Sequence, residues 1–268
     1  MNEDPAVPVT KPPPSLKESL RADFSRDKIG LIASVCCLVM LDGVNGALAS
    51  NVGPYLMGSF AATPDQITWA AIFYVAPKLY MLLLAARFQE RFGQRRSLLG
   101  VSAILVLATA GSAFVPNYPS LLAIALIQGA AGGLMIALGQ GALLAAFPRR
   151  EQALVQGVFL MAWVMFPATI VPAYLGGFAY NFVWQYAGLW MALLGLMAFG
   201  WLFLKRNLLS HSTLSGPVAP VRIILLATSL FAITYVLEQG NRNAWLEYPP
   251  IVWASLLAAV CLLGIVFA

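Results

Sequence analysis

Charge is what this chain has least of. Only 10% of its 268 residues are Asp, Glu, Lys or Arg, while 60% are hydrophobic and the mean hydropathy is +0.79. Soluble domains carry about a quarter charged residues, so this composition excludes a soluble globular protein and points to a polytopic membrane protein. Histidine is nearly absent: the single copy, His211, lies in a polar stretch where a solvated loop residue is the ordinary reading. Cys36, Cys37 and Cys261 all fall in apolar runs, giving neither a disulfide framework nor a metal-ligand set. No nucleotide-binding loop, zinc-ligand pair or Gly-x-Ser-x-Gly elbow occurs. Neither an enzyme nor an ATP-driven machine can be argued from these residues, and no cofactor or metal is expected.

What is present is apolar length. Eight segments, at about 29–49, 67–86, 97–115, 120–144, 152–178, 184–204, 221–239 and 249–268, read as spans of a 30 Å bilayer core. The expected fold is therefore all-α, with eight spans. Residues 1–28 are polar and proline-rich (Pro5, Pro8, Pro12 to Pro14) and read as a disordered cytoplasmic tail, with room for a short surface helix over 15–27. A secretory signal is not expected, because this polar lead is long and no small-residue cleavage site follows the first apolar run. Residues 29–204 form a six-helix unit, with two three-helix halves (29–115 and 120–204) that suit the repeat logic of secondary transporters. The Ser-rich stretch 205–220 reads as a cytoplasmic linker, and 221–268 supply two further helices, the chain ending inside the eighth. Pro167 and Pro172 in the long fifth segment predict a kink.

The few charges orient the layout. With the N-terminus inside, 14 of the 16 basic residues face the cytoplasm, from Lys11 to Arg222. Arg242 alone lies outside and Lys78 falls within a span. The positive-inside rule accepts this arrangement and rejects its inverse. It also explains the net charge of +5 and the pI of about 9.2 without nucleic acid, because the basic residues sit in short loops rather than on one face. The densest loop is Ala86 to Arg96, with four arginines and Glu90 in eleven residues. Trp69, Trp184, Trp245 and Tyr248 fit an interfacial aromatic belt, and Glu238 sits near the outer interface, where hydration makes a carboxylate inexpensive.

Polar residues inside spans carry the functional candidates. Asp42 lies about 18–20 Å into the first span and Lys78 about 17 Å into the second, at 1.5 Å per residue. The two spans run in opposite directions, so the two charges arrive at similar depth. Either they face each other or a shared water-filled cavity, or Lys78 snorkels while Asp42 is hydrated or neutral independently. Gln128, Gly132, Gly139 and Gln140 fall near one helical face. The glutamines can line a cavity or bond between helices. The glycines, with Gly129 and Gly133 spaced small-xxx-small, favour close helix packing.

These residues resemble a known family. Ala86 to Arg96 is similar to the loop between the second and third helices of the major facilitator superfamily, Gly-x-Leu-Ala-Asp-Arg-x-Gly-Arg-Arg. Arg91, Gly93, Arg95 and Arg96 match, Glu90 stands for the aspartate and Ala86 for the first glycine. Gly58 to Trp69, Leu41-Asp42, Gln128-Gly129 with Gln140, Gly176-Gly177 with Trp184, and Leu237-Glu238-x-Gly240 with Trp245 resemble the 14-helix drug:proton antiporters of the EmrB/QacA type. The resemblance runs in one order from about residue 29 to the end. It implies proton-coupled efflux of small amphipathic compounds by alternating access, in an inner membrane, with the N-terminus cytoplasmic. It implies a switch-gating role for Glu90, with Arg91, Gly93 and Arg95 as its partners and Arg96 beside them. Read from the residues themselves, Asp42, Lys78, Gln128 and Gln140 are the candidates for a coupling or substrate cavity, and Pro167, Pro172, Gly176 and Gly177 for a helix kink.

Three departures stand out. The fourth-helix arginine of the antiporters is Ala125 here, their fifth-helix Gly-Pro is Pro172-Ala173, and Asp42 stands farther from Asn51 than the family spacing. Lys78 is the candidate to replace the missing arginine. The family also implies about twice this length. The expectation is an N-terminal half whose C-terminal bundle is missing, with a periplasmic adaptor as a further partner beside lipid, substrate and protons. The alternative is a truncated, non-transporting bundle that serves as an interaction module or as half of a two-chain transporter. The orientation is directly testable. A phosphatase reporter fused after Asn117 should be active and one fused after Pro148 inactive; the opposite pattern would invert the topology.

Overall fold

The computed structural model describes residues 26–51, 53–169, 185–209, 220–240 and 245–267, and every regular element among them is helical. In chain order these are α1 (Arg26–Asn51), α2 (Gly53–Phe60), α3 (Pro64–Phe92), α4 (Gln94–Gly111), α5 (Tyr118–Ala146), α6 (Arg149–Leu160), α7 (Gln185–Leu204), α8 (Pro220–Gly240) and α9 (Pro249–Phe267). Beyond Leu160, α6 passes through a π turn, Met161–Met165, and runs on to Thr169. Among the described residues six stretches are long and apolar enough to cross a membrane: Arg26–Ala47, Pro64–Phe92, Gln94–Phe114, Tyr118–Ala146, Arg149–Thr169 and Ile223–Gly240. Gly188–Leu204 and Pro249–Ile265 are shorter apolar helices. Pro172, Gly176, Gly177 and Trp184, residues 1–25 of the tail and 210–219 of the linker lie outside the described residues.

Helices start where the sequence supplies caps. The Thr63 hydroxyl accepts from the Gln66 N–H at 3.3 Å, and the Gln66 side chain accepts from the Thr63 N–H at 2.8 Å. Pro64 occupies the first turn, where no N–H is needed. Asn117 and Ser120 cap α5 in the same reciprocal way, at 3.0 and 3.3 Å. Tyr118 Oη then donates to Gln66 O at 2.7 Å and ties the two capped ends together. Residues 50–66, expected as a connection, contain α2. This helix is apolar and ends at Phe60; the φ of 48 at the following Ala61 lets the Ala62 N–H return to Met57 O at 3.0 Å.

The charged stretch Ala86–Arg96 is almost wholly helical, and Gly93 alone separates α3 from α4. Gly93 sits at φ 77 and ψ 149, a region that residues with a Cβ avoid. Its N–H donates to Gln89 O at 2.8 Å, its carbonyl accepts from the Ser97 N–H at 3.0 Å, and Ser97 Oγ donates to Phe88 O at 3.0 Å. The chain thus reverses within one residue without leaving these groups unbonded.

In lipid no hydrophobic difference drives helices together, so close approach of backbones must supply the contact. The most extensive pairing is between α3 and α5. A Cβ at Gly129 would overlap Tyr74 O, and one at Gly133 would overlap Lys78 O. The interior around this seam is filled by fully buried Val35, Leu38, Leu105, Met135, Leu138 and Phe159. The start of α1 closes against α7, with the Trp201 ring seated on Gly30. Nearby, Lys205 Nζ meets Asp27 Oδ1 at 2.8 Å, a half-exposed pair of little energetic weight. On the other side of α3, Trp69 and Phe73 pack against Tyr235 and Phe231 of α8, and α9 packs on α8. Gly93→Ala should cost about 1–3 kcal/mol of stability, read as a lowered unfolding midpoint in detergent; an unchanged midpoint would show that the reversal stores no conformational constraint.

Candidate functional site

Asp42 lies in the interior of α1 and has no exposed surface. A carboxylate there must be bonded, because stripping it of water without a partner is very costly. Lys78 of α3 supplies the charge: its Nζ lies 2.6 Å from Asp42 Oδ2. Tyr74, one helical turn earlier, supplies the second bond. Its hydroxyl donates to both Asp42 Oδ1 and Asp42 O at 2.7 Å and accepts from Lys78 Nζ at 3.3 Å. Lys78 Nζ also stands 5.0 Å from the Tyr74 ring centre and 6.0 Å from that of Trp163, within cation–π range.

Two local devices let the helices meet here. A Cβ at Gly132 of α5 would overlap Asp42 Oδ1, and one at Gly46 would press on the Tyr74 ring. Only glycine at 132 therefore leaves the carboxylate where it is. The second device is the π turn. Pro167 has no N–H, so Trp163 O receives no i+4 bond, and the Phe166 N–H instead reaches back five residues to Met161 O. The wider turn carries Trp163 towards Lys78. Buried Pro167 meanwhile seats on Gly43, where a Cβ would come within 2.5 Å of its ring. Pro77, inside α3, likewise deprives Phe73 O of its helical donor next to Lys78.

The other sequence candidates are spread out. Gln128 is buried and donates to Ala108 O of α4 at 3.3 Å; Gln140 donates to Gln156 of α6 at 3.0 Å. Both bond between helices and neither touches Asp42. Asn45 donates to Thr109 Oγ1 at 2.7 Å and ties α1 to α4. Glu90 is half-buried in the last turn of α3 and forms no ion pair among the described residues. Arg91 is exposed, with its guanidinium 5.7 Å from the Phe92 ring; Arg95 is half-buried and Arg96 exposed. Glu238 and Trp245 are exposed. A groove of about 580 Å³ between α3, α8 and α9, lined by Trp69, Phe231, Tyr235 and Leu257, lies on the side of α3 remote from Lys78. Among the described residues no cluster of His, Cys, Asp or Glu could hold a metal.

Sequence reasoning missed Tyr74, Trp163 and Pro77. The four-residue spacing of Tyr74 and Lys78 would have found the first. Nothing in the local sequence announces Trp163.

A multi-pass helical membrane protein with a hydrogen-bonded ion pair inside its bundle is the class these observations define. Comparison gives the family: the model described as Major Facilitator Superfamily matches residues 35–268, and the chain belongs to it. Among curated relatives, it is 24% identical over 227 residues to the fatty acid resistance protein FarB of Neisseria gonorrhoeae, covering 84% of this chain and 44% of that protein. It is 23% identical over 226 residues to the multidrug export protein EmrB of Haemophilus influenzae, covering 83% and 44%. It is also 24% identical over 242 residues to the methylenomycin A resistance protein of Streptomyces coelicolor, covering 89% and 49%. The chain spans a little under half the length of these relatives.

The ion pair sets a clear energetic expectation. Lys78→Met leaves Asp42 buried and uncompensated, at a cost of about 3–5 kcal/mol. Adding Asp42→Asn should restore at least half of that loss, since the double variant buries no charge. An additive cycle in detergent unfolding would rule out the pairing. Exchanging the two charges is the poorer test, because Gly132 leaves no room for lysine at position 42.

Proposed function

We propose that this chain is the N-terminal portion of a secondary transporter that exports small amphipathic compounds by alternating access, driven by the proton gradient. The carrying observation is the buried Asp42–Lys78–Tyr74 network at mid-helix depth in α1 and α3. A proton taken up by Asp42 removes its charge, dissolves the ion pair and leaves Lys78 without its counterion. Two discrete states of one site follow, and two states are what a coupled carrier needs. The names of the relatives, which speak of fatty acid resistance, multidrug export and antibiotic resistance, support an amphipathic cargo.

In this reading Lys78 stands in for the arginine absent at Ala125. Gln128 and Gln140 hold the cavity wall, and the Pro167 turn with Pro172, Gly176 and Gly177 is the bending segment of the fifth span. Glu90, Arg91, Gly93, Arg95 and Arg96 form the cytoplasmic switch loop. Eight spans cross the inner membrane with the N-terminus cytoplasmic, α7 and α9 being the sixth and eighth. A C-terminal bundle completes the carrier, and a periplasmic adaptor is its further partner.

Overexpression of the complete carrier should raise resistance to amphipathic toxicants, and an uncoupler should abolish the gain. Asp42→Asn and Lys78→Ala should each reduce proton-driven extrusion at least about tenfold, equivalent to about 1.4 kcal/mol. Full extrusion by Lys78→Ala, or resistance indifferent to uncoupler, would sink the reading.

A further inference from the structure

Three helix ends meet at the start of α1. Asp27 Oδ1 takes Lys205 Nζ from the end of α7 at 2.8 Å, and Lys28 Nζ stands 5.4 Å from the ring centre of Phe147, two residues before α6 begins. Arg26, Lys28, Arg149, Arg150, Lys205 and Arg206 are thereby gathered around one helix end, with Asp27 and Glu151 the acidic residues among them. Asp27 is engaged by Lys205, and Glu151 is buried. Arg26, Arg149, Arg150 and Arg206 are exposed and form no ion pair among the described residues. Four guanidinium groups are left for an anion from outside the chain.

A furrow leads from this basic collar into the bilayer. α1 packs on both α6 and α7, whereas those two make little contact with each other among the described residues. On α1 the side towards α7 is marked by Gly30, under Trp201, and the side towards α6 by Gly43, under Pro167. At 100° per residue these two directions lie about 140° apart. Ile29 and Ala33, both exposed, point about 100° and 60° from the Gly30 direction, inside that gap. From Gly30 to Gly43 the gap is about 20 Å long, more than the roughly 15 Å depth of one leaflet.

We propose that this furrow is a site for one anionic phospholipid, its phosphate held by the arginines of the collar and one acyl chain laid along Ile29 and Ala33 between α6 and α7. Guanidinium suits the headgroup, because its planar fork of donors matches phosphate oxygens. A lipid fits better than a free anion, because each helix end pairs charge with bare hydrocarbon. Ile29, Leu154 and Leu204 are exposed within four residues of Arg26, Arg150 and Arg206, on the bilayer side of each. Seated there, the lipid joins α6 to α7 across α1, a contact that the helices scarcely make themselves. Such a site requires only a bilayer around the chain, in either orientation, and neither a cargo nor a proton.

Native mass spectrometry of the delipidated full chain in detergent, titrated with phosphatidylglycerol and phosphatidylcholine of matched tails, counts the lipids bound and gives the affinity of the first. The first phosphatidylglycerol should bind at least about fivefold more tightly than the first phosphatidylcholine, the gain expected from one arginine near a lipid phosphate. Arg149→Gln/Arg150→Gln/Arg206→Gln should erase this preference. Arg91→Gln/Arg96→Gln, which removes exposed charge from a different loop, should keep it. Ala33→Phe, which fills the furrow and leaves the collar intact, should weaken the first phosphatidylglycerol at least about fivefold. Glycerol 3-phosphate, the probe without a tail, should not displace it. Equal affinity for the two lipids in the unmutated chain overturns the proposal, whether or not any variant folds. Loss of preference in Arg91→Gln/Arg96→Gln to the same degree as in the triple variant also overturns it, since overall charge is then the cause. Full binding by Ala33→Phe puts the tail elsewhere, and displacement by glycerol 3-phosphate makes the collar a site for a free anion; either result rejects the lipid site.

Discussion

A carboxylate with no exposed surface in the middle of a helix bundle is the constraint on which this molecule depends. Asp42 cannot be hydrated, so it must be held by donors from other helices, and those helices must come close enough to hold it. Lys78 and Tyr74 bring α3 to α1, and Gly132 brings α5 against α1 at Asp42. Gly129 and Gly133 lie in the same seam, which makes the tightest helix contact and the polar centre one structure. Removing bulk at three positions of α5 is thus part of holding one charge on α1. The cost of the charge and the close packing around it cannot be separated.

Much of this was legible in the residues, because the signals were of the kind a bilayer makes sharp. Length, apolar composition and the placement of arginines give the helices and their order. The depth of Asp42 and Lys78 follows from counting residues along antiparallel spans; that made their pairing one of two readings, the other being a snorkelling Lys78 and an independent Asp42. Gly93 could be seen as punctuation between α3 and α4. That the whole reversal is one residue at positive φ could not, since backbone bonding carries both helices past their apolar limits.

What stayed hidden has a common cause. Gln128 and Gln140 share a helical face by spacing, yet they bond to different neighbours, because which helix packs on which side is a tertiary fact. Pro167 led to the expectation of a kink; the described residues show a π turn just before it, with Trp163 near Lys78, and that turn depends on where the freed carbonyl and the displaced N–H find partners. Sequence reports that a bond is missing; packing decides what replaces it.

The bond from Tyr118 Oη to Gln66 O has a mechanical meaning. It ties one end of α3 to the start of α5, while the single residue Gly93 is the joint between the other end and α4. Lys78 lies twelve residues from the pin and Gly93 twenty-seven, about 18 and 40 Å along the helix. A tilt of about 10° about the pin carries the far end through about 7 Å and Lys78 through about 3 Å. That smaller arc exceeds the 2.6 Å separating Nζ from Asp42 Oδ2. α3 is in this sense a lever arm: a modest rocking at its tethered end is large enough, at mid-span, to open and close a single ionic contact.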